Sequence, residues 1–186
     1  MKIIDTKPFP ASREYDEIIN IPLYKICKVK QIVNLSNYKN IIFQSPSAVI
    51  NFDQINLIED KRIIAMGPGT SNQLRKHGYV AEIPDTEYSS EGVINLMNKS
   101  GVTGKTLVIK GEGGLSIISE YLNSASLKAD ELSTYNRQKF GSYSEIKKQF
   151  FNSDFVIFSS ALSVEIYFKH IHNCLLYTSP SPRDSR

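Results

Sequence analysis

The chain has 186 residues, of which 41% are hydrophobic and 22% are charged, with a formal net charge of +3. This composition excludes a disordered chain, and no apolar run approaches the ~20 residues that a membrane-spanning helix needs. The charge is small and evenly spread, so we expect a small anionic ligand as partner, and neither nucleic acid nor a membrane. The sequence opens without a signal-peptide core, and Cys27 and Cys174 are too distant to form a disulfide framework. We therefore expect a cytoplasmic protein with reduced thiols.

The tail 175–186 differs from everything before it because it is rich in Ser, Pro and Arg. It resembles a translated sequencing adapter, so we do not expect it to contribute to the fold. We expect the native gene to continue beyond about Cys174, so that the chain is a fragment.

Strand-like and helix-like segments alternate along the chain, which predicts an α/β fold with mostly parallel sheets. The charged residues of the strand at 127–135 predict an edge position, and the apolar strand at 155–158 is predicted to be buried. Ser90 is the predicted N-cap of one helix, and Gly78 is predicted to end another in a left-handed conformation. In chain order we predict strands at 2–5 and 18–26, strand 41–43, helix 45–52, strand 62–66, helix 70–77, strand 79–83, helix 91–97, strand 106–110, helix 115–122, strand 127–135, helix 144–151, strand 155–158 and helix 161–171.

One short internal similarity joins residues 42–49 to residues 157–164. Each copy is an apolar strand followed by a serine, Ser45 or Ser160, and then a helix. A match of this length can arise by chance, or it can mark two related α/β lobes that each have a polar strand-to-helix turn.

Four such turns are candidate ligand sites, because ligands of open α/β sheets bind at the carboxyl ends of the strands. The free N–H groups of a helix start, together with hydroxyl groups, suit phosphate or carboxylate. Each turn alone is better explained as an ordinary cap or turn than as a ligand site, and none has the spacing of a Walker loop or a dinucleotide fingerprint. The four turns are 44–47, 67–70, 111–114 and 159–163.

Metal and nucleophile sites are poorly supported by the sequence. His170, His172 and Cys174 do not share one face of a helix, so we predict no metal site. Cys27 lies among lysines, but no general base is near it in sequence, so we expect a half-buried structural residue and not a nucleophile.

Six segments carry a resemblance to a known family, namely 41–49, 66–78, 89–93, 104–111, 132–137 and 158–160. Taken together, they resemble the corresponding segments of uroporphyrinogen-III synthases. Each motif is weak, but their order and spacing over residues 37–168 make the match more specific. The resemblance implies two flavodoxin-like, three-layer α/β lobes with parallel sheets, joined by a two-stranded linker. The inserted lobe would be 30–136, and the discontinuous lobe, with its second half missing, would be 1–29 with 137–174.

The resemblance also implies an activity. The family cyclises hydroxymethylbilane, a linear tetrapyrrole with eight carboxylates, to uroporphyrinogen III, with inversion of ring D, loss of water and no cofactor. On this basis we expect a lyase that acts as a monomer on this small-molecule substrate. Tyr135 matches the family's tyrosine that is proposed to help the hydroxyl leave, so it is the expected catalytic residue. The expected substrate-binding residues are Ser45, Ser47, Gly69, Thr70, Lys110, Gly111, Ser160 and Lys7.

The sequence departs from the family pattern in two ways. Lys7 and Lys110 stand where arginine is frequent, and lysine lacks the bidentate fork that binds carboxylates. A last glycine–threonine turn and its helix are absent, so we expect the chain as written to be weakly active or inactive and the full gene product to be active.

Two other functions fit the α/β pattern. One is a non-catalytic two-lobed module that binds a small anion, and the other is a nucleotide-sugar transferase lobe. The transferase should show an acidic metal-binding pair at a strand end, and none is evident in the sequence.

Overall fold

The computed structural model describes residues 1–9 and 18–172. The segment 10–17, Cys174 and the tail lie outside the described residues. Within the described ranges, no helix is long and apolar enough to cross a membrane. In chain order the elements are β1 (Ile3–Asp5), β2 (Ile18–Asn20), β3 (Tyr24–Lys28), β4 (Asn40–Phe43), α1 (Pro46–Ile50), β5 (Arg62–Ala65), α2 (Pro68–Arg75), α3 (Ser90–Ser100), β6 (Thr106–Gly111), α4 (Ile117–Ser124), β7 (Ala129–Lys139), α5 (Ser144–Gln149), β8 (Phe155–Ile157) and α6 (Ala161–Ile166), which a π-helical turn extends over Tyr167–Ile171.

The chain divides into two compact units. Of the described residues, unit 1 contains 1–9, 18–25 and 138–172, and unit 2 is the continuous segment 26–137. The chain passes from one unit to the other within β3 and again near the end of β7. The predicted mixed α/β fold with parallel sheets is confirmed, since all pairs formed by β4, β5, β6 and the first residues of β7 are parallel, as are those of β1 with β2 and β8.

Unit 2 is built on a five-stranded sheet in the order β3-β7-β6-β4-β5. Successive side chains of a strand point to opposite faces, so an uninterrupted apolar strand requires cover on both sides. In β4, Ile41 and Phe43 enter one apolar cluster and Ile42 enters the other. Both faces of the sheet are therefore buried, as the apolar runs of its strands predict.

Helices cover the two faces of this sheet. On one face α1 and α2 contribute Ala48, Val49 and Leu74 to the apolar cluster. On the other face α3 contributes Val93 and Met97, and α4 contributes Ile118 and Leu122. Unit 2 is thus a three-layer α/β/α unit in which β4, β5 and β6 end at one edge, where their connections to the helices begin.

Unit 1 contains a three-stranded parallel sheet in the order β2-β1-β8. Its central strand β1 buries Ile4 completely, but Phe155 and Ile157 of β8 are 60% and 42% exposed. The prediction that strand 155–158 is buried is wrong. Among the described strands β8 lies at the edge of the sheet, so a neighbouring strand covers it on one side only.

Three other predictions are corrected. The charged strand β7 is not at an edge, since β3 lies outside it in the sheet. The segment 79–83 is reduced to a single bridge between Ile64 and Glu82, and Pro84 directly after it cannot donate to a strand ladder. Helix α3 is capped one residue earlier than predicted, because the Ser89 Oγ accepts from the Gly92 N–H at 3.1 Å.

Candidate active site

The carboxyl edge of the unit 2 sheet brings three strand-to-helix turns together. The Gln44 Nε2 donates to the Leu115 carbonyl at 3.2 Å, which ties the turn after β4 to the loop after β6. A Cβ atom added to Gly69 would lie 3.6 Å from the Pro46 Cγ, so the starts of α1 and α2 adjoin as well. Turns that the sequence placed far apart therefore form one polar surface.

Tyr135 lies at the centre of this surface. Its side chain is buried, with 2% exposure, and its hydroxyl is 3.0 Å from the Ser45 Oγ. The Arg137 Nη2 donates to the same hydroxyl oxygen at 3.3 Å, and the guanidinium carbon lies 5.5 Å from the centroid of the tyrosine ring. These three side chains form a hydrogen-bonded row, which we call the Ser45–Tyr135–Arg137 row.

An irregularity in the sheet places the tyrosine there. The pairing of β6 with β7 shifts after Lys110, so that Gly111 pairs with Tyr135. The Glu112 N–H donates to the Tyr135 carbonyl at 2.7 Å. The aromatic ring then occupies the space where residue 111 would carry a side chain, since an added Cβ would lie 2.5 Å from the ring's Cζ.

Gly111→Ala is therefore expected to destabilise unit 2. The new methyl group overlaps the Tyr135 ring, and overpacking of this kind costs typically about 1–3 kcal/mol. Urea denaturation followed by circular dichroism measures the loss. Gly141→Ala is the matched control, because a Cβ there meets nothing within 4 Å. Equal denaturation midpoints for the two variants would contradict this packing.

Ser45 and Ser160 occupy equivalent places in the two units. The Ser45 Oγ accepts from the Ala48 N–H at 3.2 Å, and the Ser160 Oγ accepts from the Ser163 N–H at the same distance. Each serine also contacts a tyrosine hydroxyl, which for Ser160 is that of Tyr24 at 3.3 Å. The short internal similarity in the sequence therefore corresponds to a repeated structural arrangement.

The start of α2 offers backbone donors. Its N-cap residue is Gly67, which has no side chain to cap the helix, and Pro68 follows it. The first helical hydrogen bond runs from the Ser71 N–H to the Gly67 carbonyl at 3.0 Å. The N–H groups of Gly69 and Thr70 come before Ser71 in the chain, so they have no acceptor within the helix. They point outward from the helix start, where the helix dipole favours an anion. Gly69 is exposed.

Lys110 is buried in the loop that follows β6. Its ammonium group donates to the Gly114 carbonyl at 3.0 Å and to the Ser116 Oγ at 2.8 Å, and it lies 2.6 Å from the Glu131 Oε2. Burial alone would raise the pKa of Glu131, but hydrogen bonds from Lys110 and from two serines lower it below its ordinary value. These contacts use the three donors of the lysine, so the side chain holds the loop in place.

The remaining predicted residues are distributed between the units. Ser47 is half-buried on the first turn of α1, in unit 2. Lys7 and Ser160 belong to unit 1, where the exposed Lys7 ammonium lies 3.5 Å from the Asp5 carboxylate. The roles of all these residues in substrate binding stay predictions.

Arg137 is the residue that sequence reasoning missed. Arg137 belongs to the segment 132–137, which carries the family resemblance, but no role in binding or catalysis was predicted for it. The available signal was its position two residues after Tyr135 on a strand, which puts both side chains on one face. The structure shows an exposed guanidinium beside the phenol.

The arrangement of potential metal ligands was a further question raised by the histidines near the end of the chain. Among residues 1–9 and 18–172, no group of three His, Cys, Asp or Glu side chains is arranged to hold a metal ion. His170 instead stacks on Tyr143, with the ring centroids 4.8 Å apart. Cys27 is half-buried, as predicted.

Comparison with known proteins gives the family. The family model described as uroporphyrinogen-III synthase HemD matches residues 16–178. No curated protein sequence matches the chain.

The fold is similar to that of uroporphyrinogen-III synthetase from Helicobacter pylori, with a TM-score of 0.66 and 13% identity over 92% of this chain and 78% of that one. It is also similar to a mutant uroporphyrinogen III synthase from the extremely thermophilic bacterium Thermus thermophilus, with a TM-score of 0.55 and 12% identity over 90% and 76% of the two chains. Since the family model spans most of the sequence, the chain belongs to the uroporphyrinogen-III synthase family, the enzymes of haem biosynthesis that act on a small-molecule tetrapyrrole.

Proposed function

We propose that this enzyme is a lyase that cyclises hydroxymethylbilane to uroporphyrinogen III, with loss of water and inversion of ring D. The observation that carries the proposal is the Ser45–Tyr135–Arg137 row at the carboxyl edge of the unit 2 sheet. It combines a proton donor with an exposed cation, which are the groups that a hydroxylated polycarboxylate requires. We further propose that the protein is monomeric and cytoplasmic and that residues of the chain perform the reaction without a cofactor.

Several groups at this edge suit the carboxylates of the substrate. The uncapped start of α2 offers the N–H groups of Gly69 and Thr70 to an anion. Ser47 on α1 and the backbone at Gly111 lie on the neighbouring turns, and hydrogen bonds to charged groups are among the stronger ones in proteins. Lys110 is assigned a positioning role, because its donors are used within the loop.

In unit 1, Lys7 and Ser160 are proposed to contact the substrate as well. Ser160 caps α6 as Ser45 caps α1, which supports a similar use of the two turns. The two compact units support the proposal that the lobes are 30–136 and 1–29 with 137–174.

The reaction begins with departure of the terminal hydroxyl group, which leaves an azafulvene. Tyr135 is the acid from which the proton for this step is drawn, so that the hydroxyl leaves as water, and a positioned acid of this kind contributes typically ~10²–10⁴-fold to a rate. A spiro intermediate then allows ring D to invert before closure. The contribution of the protein to that step is to hold the chain ends close together in the correct orientation.

The test is the isomer composition of the product. Hydroxymethylbilane is incubated with the purified protein, and the porphyrinogens are oxidised and separated by chromatography. We expect isomer III in excess over a protein-free reaction, in which only the non-inverted isomer I forms spontaneously. Isomer I alone in both reactions would refute the enzyme and would favour the non-catalytic module that binds a small anion.

A further inference from the structure

The directions of the hydrogen bonds in the Ser45–Tyr135–Arg137 row can be assigned. A guanidinium has only donors, so the Tyr135 oxygen accepts from Arg137. The tyrosine side chain is 2% exposed, and among the described residues the other partner of its hydroxyl is the Ser45 Oγ. A buried hydroxyl hydrogen without an acceptor is costly, so Tyr135 donates its proton to Ser45.

One proton of the row then faces outward. The Ser45 Oγ accepts from the Tyr135 hydroxyl and from the Ala48 N–H, which occupies both of its lone pairs. The hydrogen of the serine hydroxyl is then free for a ligand. Ser45 is half-buried, whereas Tyr135 is buried, so the serine is the member of the pair that a ligand can reach.

Comparison with unit 1 shows which member of the Ser45–Tyr135–Arg137 row is specific to unit 2. Ser160 and Tyr24 form the corresponding pair in unit 1, but no described arginine donates to the Tyr24 hydroxyl. Both units therefore contain a serine–tyrosine pair, and among the described residues only the pair of unit 2 has an arginine bonded to its tyrosine. Arg137 donates to the oxygen that would carry negative charge if Tyr135 gave up its proton, and such a chain of donors strengthens each bond along it.

We propose that Ser45 is the catalytic residue that contacts the leaving hydroxyl, that Tyr135 acts through it, and that Arg137 is a positioning residue for the phenol. The inference rests on the proposed function and deepens it. When the carbon–oxygen bond of the hydroxymethyl group breaks, the electron pair leaves with the oxygen, which takes the Ser45 proton and becomes water. The Tyr135 proton moves to the Ser45 Oγ, and Arg137 holds the phenolate. The pyrrole carbon that closes the ring later loses a proton, which restores Tyr135.

The first test compares two helix-capping serines. Ser45→Ala is expected to lower kcat about a hundredfold with little change in KM, since it removes the donor to the leaving group. Ser89→Ala is the matched control, because Ser89 caps α3 through the Gly92 N–H without contacting a tyrosine hydroxyl. We expect it to lower the denaturation midpoint as Ser45→Ala does, but to keep kcat. An unchanged kcat in Ser45→Ala would overturn the inference.

The second test measures the coupling of Arg137 to Tyr135. Arg137→Gln is expected to lower kcat about tenfold in the wild-type protein and less than about twofold in a Tyr135→Phe background, because its effect passes through the phenol. Arg137→Lys should restore part of the rate, and Arg75→Gln, at the exposed end of α2, should leave it unchanged. A loss that persists in the Tyr135→Phe background and affects KM would assign Arg137 to a substrate carboxylate instead, and would overturn the positioning role.

Different results would refute the proposed activity and the proposed roles of Ser45, Tyr135 and Arg137. Absence of isomer III from the wild-type reaction would refute the proposed function itself. Isomer III formed at an undiminished kcat by both Ser45→Ala and Arg137→Gln would leave that function standing and refute the relay alone.

Discussion

Tyr135→Phe is expected to lower kcat for uroporphyrinogen III formation by about a hundredfold or more, and the fraction of isomer I in the product should rise accordingly. The substitution removes the phenolic proton and keeps the ring that packs against Gly111. Loss of a general acid typically costs ~10²–10⁴-fold in rate. Initial rates of isomer III formation, separated from the spontaneous product by chromatography, measure the effect.

Tyr38→Phe is the control for this variant. Tyr38 is also buried, and its hydroxyl donates to the Asp130 Oδ2 at 2.6 Å. Burial, together with Asp130, raises the pKa of Tyr38 to about 12. This tyrosine precedes the amino end of β4, whereas Tyr135 lies at the carboxyl edge. We expect Tyr38→Phe to affect stability and to leave kcat unchanged, and equal rates for the two variants would exclude a proton-donating role for Tyr135.

Lys110→Met produces the largest expected loss of stability. Its side chain is 6% exposed and pairs with Glu131, which is 31% exposed. Removing one member of a buried ion pair leaves the other without compensation, which costs typically ~3–5 kcal/mol. We expect about 3 kcal/mol, the low end of that range, because water still reaches Glu131. Urea denaturation gives the free energy of unfolding.

Lys99→Met provides the comparison. The Lys99 ammonium lies 3.8 Å from the Asp85 carboxylate, and both side chains are at least 74% exposed. Exposed pairs of this kind contribute little, so we expect a change within about 0.5 kcal/mol. If Lys110→Met were equally mild, Lys110 would not hold the loop after β6.

The local features of the candidate site follow from the sequence to a large extent. A strand followed by serine and a helix predicts a capped turn, and Ser45 and Ser160 do cap their helices. The left-handed conformation predicted for Gly78 is confirmed by its φ of +86°. Such features depend on residues only a few positions apart, which is why the sequence alone can reveal them.

Features that depend on distant residues could not be predicted. The burial of Lys110 requires Glu131 on the neighbouring strand, and their proximity follows from the register of β6 and β7. Phe155 belongs to a run that reads as a buried strand, but its exposure depends on the strand's place in the sheet. Where two serines are adjacent, as at Ser89 and Ser90, residue preference alone does not decide which one caps the helix.

The split composition of unit 1 determines the order in which the protein can fold as it is synthesised. Strand β1 pairs Ile3 with Phe155, so it leaves the ribosome about 150 residues ahead of that partner, or ~8–30 s earlier at ordinary translation rates. During that interval β1 has one open edge, whereas unit 2 is continuous and has all five strands of its sheet available first. Among the described strands, β8 is the last to pair, and a ribosome that pauses before Phe155 leaves exposed the unpaired strand edge that promotes aggregation.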